Sequence, residues 1–173
     1  PEQVVHDSIY SAFNSAGQRC SALRLLCLQE EIEPRTLELL IGYMDELDIG
    51  DPKHFSTDVG PAIDDGARDI LTAHVDRMRN DARIVHRCTL PDATNAGTFF
   101  APTLIEIDSI DALQHEVFGP VLHVMKFKGK KFDETVQAIN STGYGLTMGL
   151  HSRIDSRAKG LAQASGAGNI YVN

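Results

Sequence analysis

One cysteine of this sequence lies where a nucleophile would be well positioned. Cys20 follows a glycine-led polar segment, residues 17–19, and precedes the densest apolar segment of the chain, residues 22–28. A free thiol has a pKa of about 8.5 and reacts well only when its thiolate is favoured. The nearby Arg19 and Arg24 could favour that anion, and backbone N–H groups of the turn could bind an oxyanion. The context therefore favours a nucleophile over the commoner role of a cysteine as a small buried hydrophobe.

The other two cysteines have no comparable context. Cys27 lies within the apolar segment and is expected in the core, and Cys88 follows a predicted strand without a distinctive neighbour. Three cysteines give an odd count without a CxxC pair. This pattern argues against a disulfide scaffold and favours a reducing cytoplasm as the compartment.

A second segment, residues 115–121, places a carboxylate and an aromatic ring directly before a strand. Glu116 could bind a ribose hydroxyl, and Phe118 could lie against a flat heterocycle. The Gly-Pro pair that follows is typical of a turn. Taken alone, such residues more often form an ordinary turn that leads into a strand than a binding site. The segment therefore supports a cofactor site only in combination with Cys20.

The sequence lacks the motifs of several other kinds of functional site. The chain has no Gly-Lys-Ser/Thr phosphate loop, no GxGxxG context and no HExxH pair, so no phosphate loop, dinucleotide fingerprint or metal site is predicted. His74, on an apolar helix stripe, is expected to be a packed core residue. A net charge of -8 without a basic stripe argues against nucleic acid and anionic membranes. No apolar run approaches the roughly 20 residues that span a bilayer.

Helical and strand patterns alternate along the chain. Helices are predicted over residues 2–16, 34–47, 67–78, 132–139 and 154–164. Strands are predicted over residues 22–28, 82–87, 98–107, 121–127, 146–150 and 169–172. This order predicts an α/β fold with a largely parallel sheet and flanking helices, and 173 residues leave room for one domain with one core.

In order and spacing, these motifs resemble those of the aldehyde dehydrogenase superfamily. The family's cysteine signature is matched by Phe13, Gly17, Gln18 and Cys20. The remaining matches are Val-Gly-Pro-Ala-Ile at 59–63, Glu-Val-Phe-Gly-Pro-Val at 116–121, Asn140 with Tyr-Gly-Leu-Thr at 144–147, and Gly-Asn-Ile-Tyr-Val-Asn at 168–173. The resemblance implies the aldehyde dehydrogenase catalytic-domain fold. Residues 15–29 are similar to the L-glutamate γ-semialdehyde (1-pyrroline-5-carboxylate) dehydrogenase part of bifunctional bacterial proline-utilisation proteins.

The resemblance also implies a role for five residues. Cys20 would attack an aldehyde, and the oxidised product would be released from a thioester by water. Glu116 would bind the nicotinamide ribose and Phe118 would lie near the nicotinamide of NAD, with NADP not excluded. Ser21, and more weakly Arg19, would contact an amino-acid aldehyde. FAD is implied only for a parent protein that also has a proline dehydrogenase domain.

The family's other catalytic parts would lie outside residues 1–173. By resemblance, the general base, the second oxyanion donor and the Rossmann NAD domain precede the first residue, Pro1, and the substrate-anchoring loop follows Asn173. We therefore expect a catalytic domain truncated at both ends, inactive alone and belonging to a homo-oligomeric parent.

Three alternatives stay open at this point. The enzyme could oxidise a different aldehyde. A papain-type hydrolase would need a local cysteine signature that is absent here, and the chain has no tryptophan. A non-catalytic assembly domain would predict a buried, slowly reacting Cys20.

Overall fold

Helices separate most of the strands along the chain, which confirms the predicted α/β class. The computed structural model describes all 173 residues, and they form two compact units, Pro1–Lys126 and Phe127–Asn173. The helices are α1 (Glu2–Phe13), α2 (Glu33–Asp45), α3 (Asp65–Asp81), α4 (Phe132–Ser141) and α5 (Asp155–Ala164). The strands are β1 (Leu25–Gln29), β2 (Arg83–Arg87), β3 (Thr103–Glu106), β4 (Val121–Phe127), β5 (Thr147–Leu150) and β6 (Asn169–Val172).

The first unit is built on a four-stranded sheet in the order β1-β4-β3-β2. Strands β3 and β4 run parallel with Thr103 opposite Val121, whereas β2 pairs with β3 in antiparallel fashion. All of β3 and the first five residues of β4 are buried, as expected for strands covered on both faces. The sheet is therefore mixed, and its centre is apolar.

Helices α1 and α2 bury one apolar face each. Val5, Ile9, Ala12 and Phe13 of α1 recur at helical spacing and are almost fully buried. They share a core cluster with apolar residues of α2 and with residues of β3 and β4. α1 therefore ends on a well-fixed Phe13, directly before the segment that carries Cys20.

Helix α3 begins with a side-chain cap. The Asp64 carboxylate accepts a hydrogen bond from the backbone N–H of Ala67 at 2.7 Å, which satisfies one of the free N–H groups at the helix start. Leu71, His74 and Val75 lie on its buried face. The predicted core position of His74 is therefore confirmed.

The second unit contains a two-stranded parallel sheet of β5 and β6, together with α4 and α5. The side chain of Asn140 donates to the carbonyl of Ala164 at 2.8 Å and accepts from the N–H of Gly166 at 2.9 Å. This family-motif asparagine therefore fastens α4 to the chain that follows α5. No helix in the structure has the length and apolar character needed to cross a membrane.

Several element boundaries differ from the predictions, and three of the differences have a clear local reason. The first helix ends at Phe13, not residue 16, because Ser15 and Ala16 adopt left-handed conformations with φ of 56° and 51°. The first strand begins at Leu25, not residue 22, because residues 19–22 form a turn. The strand predicted over 98–107 is confined to Thr103–Glu106, and Pro102, directly before it, has no N–H to donate.

Candidate active site

A left-handed turn leads from α1 to Cys20. Ser15, Ala16 and Gly17 all have positive φ, with Gly17 at 64°, a conformation that costs a non-glycine residue roughly 1–2 kcal/mol. A Cβ atom on Gly17 would lie 2.1 Å from the carbonyl oxygen of Gly119 and 2.8 Å from that of Ala12. Glycine is therefore required here for close backbone contact as well as for its φ angle.

Cys20 lies at the tip of the next turn. The carbonyl of Arg19 accepts the N–H of Ala22 at 3.1 Å, so Cys20 and Ser21 are the two central residues, and both are exposed. Their own backbone N–H groups donate to no acceptor within the chain. The turn thus presents a solvent-accessible thiol beside two free donors, an arrangement that can bind an oxyanion formed next to the sulfur.

The other two thiols are less suited to reaction. Burial raises the pKa of Cys27 to about 12 and that of Cys88 to about 11, with the Asp45 carboxylate adding to the shift at Cys88. The Cys88 Sγ also lies 3.3 Å from the carbonyl of Met44. Because a thiolate is the reactive form, neither is a competitive nucleophile near neutral pH, and Cys20 is the exposed cysteine of the chain.

Gln18 fixes the cysteine turn to the loop before α3. Its side-chain Nε2 donates to the carbonyl of Pro61 at 3.2 Å, and its Oε1 accepts the N–H of Ile63 at 2.8 Å. The amide thus binds both a carbonyl and an N–H of the same loop. The glutamine of the cysteine signature therefore holds the loop before α3 against the cysteine turn.

The segment before β4 presents an aromatic ring to solvent. Val117, Gly119 and Pro120 are buried, Glu116 is half-buried, and Phe118 is 44% exposed. A Cβ atom on Gly119 would lie 2.3 Å from the Leu71 side chain of α3. This close packing holds the segment down on both sides of the exposed ring.

Arg24 joins the two segments. Its Nη1 donates to the carbonyls of Gly17 at 2.5 Å and Gly119 at 3.3 Å, and its Nη2 donates to the carbonyl of Arg19 at 3.0 Å. Its Nε lies 3.3 Å from Oε1 of Glu116, and its Cζ lies 4.6 Å from the ring centroid of Phe118. Burial lowers the pKa of Arg24, while the hydrogen bond and charge of Glu116 oppose that shift.

Sequence reasoning brought Arg24 forward only as a possible support for a thiolate. Its link to Glu116 spans 92 positions in the chain, and no local pattern signals such a contact. In the sequence, Arg24 is marked only by its position directly before an apolar strand. The structure therefore adds Arg24 to the residues of the candidate site.

The two predicted substrate contacts lie on either side of Cys20. Ser21 is exposed on the same turn. Arg19 directs its Nη2 to the carbonyls of Tyr10 at 3.4 Å and Ser11 at 3.3 Å, near the end of α1, and its Nε is buried without a partner. The structure thus brings Arg19, Cys20 and Ser21 into one turn and places Glu116 and Phe118 in the segment that Arg24 ties to it.

A pair of buried histidines contacts the backbone carbonyl of Arg24. The Nε2 atoms of His74 and His123 lie 2.9 Å apart, and Nδ1 of His123 lies 3.0 Å from the carbonyl oxygen of Arg24. Since a carbonyl only accepts, His123 carries its proton on Nδ1 and accepts from His74 through Nε2. Burial lowers the pKa of both rings to about 4. The pair is therefore neutral near pH 7, and His123 is a contact that sequence reasoning did not predict.

Comparison with known proteins identifies one family across the whole chain. The model of the aldehyde dehydrogenase family matches residues 1–173. The bifunctional protein PutA of Klebsiella aerogenes is 48% identical over 177 residues, covering 99% of this chain and 14% of that protein. The 1-pyrroline-5-carboxylate dehydrogenase of Geobacillus thermodenitrificans is 29% identical over 174 residues, covering 99% of this chain and 33% of that protein.

The solved structures agree with the sequence comparisons. A crystal structure of a proline utilization A (PutA) mutant from Bradyrhizobium japonicum superposes with a TM-score of 0.95 at 45% identity. The match covers 99% of this chain and 17% of that one. The chain therefore spans a small part of the length of these relatives.

Proposed function

The chain belongs to the aldehyde dehydrogenase family, and from this premise we propose that it forms the thiol-bearing part of an enzyme that oxidises L-glutamate γ-semialdehyde to glutamate in proline catabolism. The observation that carries the proposal is the exposed Cys20 beside two free backbone N–H groups. The choice of aldehyde is supported by relatives named PutA and 1-pyrroline-5-carboxylate dehydrogenase. The three free cysteines support a reducing, cytoplasmic setting.

Cys20 performs the first covalent step. Its sulfur attacks the aldehyde carbon, a C–S bond forms, and the C=O π electrons move to the oxygen to give a thiohemiacetal anion. The free N–H of Cys20 would donate to that oxygen. A base then activates water, which attacks the thioester that remains after oxidation, and the C–S bond breaks to release the acid and the Cys20 thiolate.

The segment of Glu116 and Phe118 fits a nicotinamide dinucleotide. A half-buried carboxylate offers acceptors for ribose hydroxyls, and the exposed Phe118 ring offers an apolar surface for a flat heterocycle. When bound, NAD or NADP supplies the acceptor for the hydride that the aldehyde carbon loses. Glu116 and Phe118 would be the residues of this chain that hold and orient that group.

The substrate's own charges favour contacts on the cysteine turn. L-Glutamate γ-semialdehyde carries a carboxylate and an ammonium group far from the reacting carbon. The exposed hydroxyl of Ser21 can donate to such a carboxylate, and Arg19, the residue before Cys20, adds a positive charge to the same turn. We assign Ser21 the main contact and Arg19 a weaker one, because Arg19 already donates to carbonyls of α1.

We also propose that residues 1–173 are part of a longer, homo-oligomeric polypeptide that carries the base and the Rossmann domain. The chain covers 14% of the Klebsiella relative, which supports this proposal. FAD belongs to that polypeptide only if a proline dehydrogenase domain is also present. The isolated chain would then be inactive.

NADH formation from L-glutamate γ-semialdehyde tests the proposal. We expect turnover by the full-length protein, a higher kcat/KM for this aldehyde than for betaine aldehyde, and no turnover by residues 1–173 alone. Repeating the assay with NADP fixes the cofactor. A higher kcat/KM for betaine aldehyde would refute L-glutamate γ-semialdehyde as the substrate. Normal turnover by residues 1–173 would refute the proposal that this chain is inactive alone.

A further inference from the structure

The backbone of Arg24 is fixed to the central sheet, although its side chain turns back toward the site. The carbonyl of Arg24 accepts two hydrogen bonds from His123, one from the backbone N–H at 2.9 Å and one from Nδ1 at 3.0 Å. β1 begins at the next residue. The guanidinium is therefore held from a rigid base, which is what a precise site requires of its supporting residues.

The acceptors of this guanidinium fall into two groups. The carbonyls of Gly17 and Arg19 belong to the turns that carry Cys20. The carbonyl of Gly119 and the carboxylate of Glu116 lie on either side of Phe118, over whose ring the guanidinium stacks. One side chain thus binds both the nucleophile turn and the proposed cofactor segment.

These contacts require an arginine. A guanidinium presents five N–H donors in a rigid plane, so it can serve acceptors on two sides and still stack on a ring. A lysine ammonium is a point charge with three donors and cannot reach the same set. The Arg24 side chain is only 16% exposed, so water competes poorly for these bonds.

We propose that Arg24 is a positioning residue of the proposed aldehyde oxidation, fixing the separation between the Cys20 turn and the Glu116–Gly119 segment. The inference rests on the proposed function. Without Arg24 each segment keeps its own hydrogen bonds, but no guanidinium then connects the Cys20 turn to the Glu116 carboxylate. A misplacement of about 1 Å can lower a rate by about 100-fold.

The test uses Arg24→Met in the full-length protein, with Arg87→Met as the matched control. Arg87 also stacks on a ring, with its Cζ 5.0 Å from the Phe100 centroid, but it ends β2 at the opposite edge of the sheet. We expect Arg24→Met to lower kcat/KM by about 10- to 100-fold, Arg24→Lys to fall between it and the native protein, and Arg87→Met to keep native activity.

Binding of NAD separates positioning from general destabilisation. In a Cys20→Ala background, calorimetric titration with NAD should give a dissociation constant about 10-fold higher for Arg24→Met. Adding Glu116→Gln to Arg24→Met should then weaken NAD binding less than Glu116→Gln does alone, because contacting residues are not additive. If Arg24→Met does not fold, the same cycle with Arg24→Lys decides.

Three outcomes are distinct. A folded Arg24→Met protein with native kcat/KM and native NAD affinity overturns the inference on Arg24 alone. Additive effects of Arg24 and Glu116 substitutions on NAD affinity also overturn it. Full turnover by Cys20→Ala overturns the proposed function instead.

Discussion

At the scale of single residues, solvent access divides the three thiols. Cys20 lies at a turn tip in water, whereas Cys27 and Cys88 lie where burial penalises the charged form. The difference comes from the element each cysteine occupies, since Cys27 is in a strand of the sheet and Cys20 precedes it. Reactivity should follow the same division.

Iodoacetamide should therefore label Cys20 first. In the 173-residue chain near neutral pH we expect Cys20 to react more than about 10-fold faster than either other cysteine, because its thiolate is accessible. Peptide mapping by mass spectrometry measures the three rates. Cys20→Ser should abolish the fast reaction and Cys27→Ala should leave it unchanged, while faster labelling of Cys27 or Cys88 would contradict the assignment.

The buried pair of His74 and His123 should make the fold sensitive to acid. Both rings have a pKa of about 4 when folded, below the ordinary value of 6.5. The unfolded chain thus binds more protons between these values, so stability is fully present above pH 6.5 and is lost as the pH falls toward 4. We expect the urea midpoint of the chain to fall between about pH 7 and about pH 5.

His74→Gln provides the variant for that measurement. Glutamine can still donate to His123 but does not titrate, so the fall in the urea midpoint over this pH range should be smaller than in the native chain. His54→Gln, at an exposed loop position, is the matched control and should keep the native pH dependence. An unchanged pH dependence in His74→Gln would contradict the role of the pair.

At the scale of elements, apolar pattern predicted the regular structure well and the turns poorly. β4 is predicted over 121–127 and is observed as Val121–Phe127, because a short, mostly apolar run after a Gly-Pro turn is typical of a buried strand. The helix predicted to residue 16 ends at Phe13, since the left-handed Ser15 and Ala16 are stabilised by surrounding contacts, not by their own preferences.

The candidate site likewise contains residues that the sequence could predict and contacts that it could not. Motif residues such as Cys20 and Glu116 could be singled out from the sequence, because their types and neighbours are local information. The contacts of Arg24 and the pairing of His74 with His123 join residues far apart in the chain. Such contacts are set by strand order and helix packing, and no local pattern contains them.

The approach of Gly17 to Gly119 gives a prediction for the elements. Gly17→Ala should lower the free energy of unfolding of the chain by at least about 2 kcal/mol, because a Cβ would overlap two carbonyl oxygens and occupy a left-handed position. Gly42→Ala is the matched control: Gly42 is an exposed position of α2 with no atom within 4 Å of an added Cβ.

Urea unfolding measures both variants. Gly42→Ala should raise the free energy of unfolding by about 0.5–1 kcal/mol, as expected for alanine replacing glycine inside a helix. A Gly17→Ala chain as stable as the native one would contradict the close contact between the two turns.

At the scale of the whole molecule, every residue of the candidate site lies in the first unit, Pro1–Lys126. The second unit, Phe127–Asn173, carries the family motifs at Asn140 with 144–147 and at 168–173. There Asn140 and Asn173 bind backbone groups of their own unit. These asparagines are therefore explained by local structure. The proposed chemistry rests on the first unit, together with parts of the longer polypeptide that we propose.

The kcat of the full-length protein with L-glutamate γ-semialdehyde and NAD tests the central claim most directly, comparing Cys20→Ala with Cys27→Ala. If Cys20 is the nucleophile, Cys20→Ala should lower kcat by at least about 1,000-fold, a loss of the size seen when catalytic nucleophiles are removed, and Cys27→Ala should remain close to the native protein. A Cys20→Ala protein that retains native kcat would contradict the account.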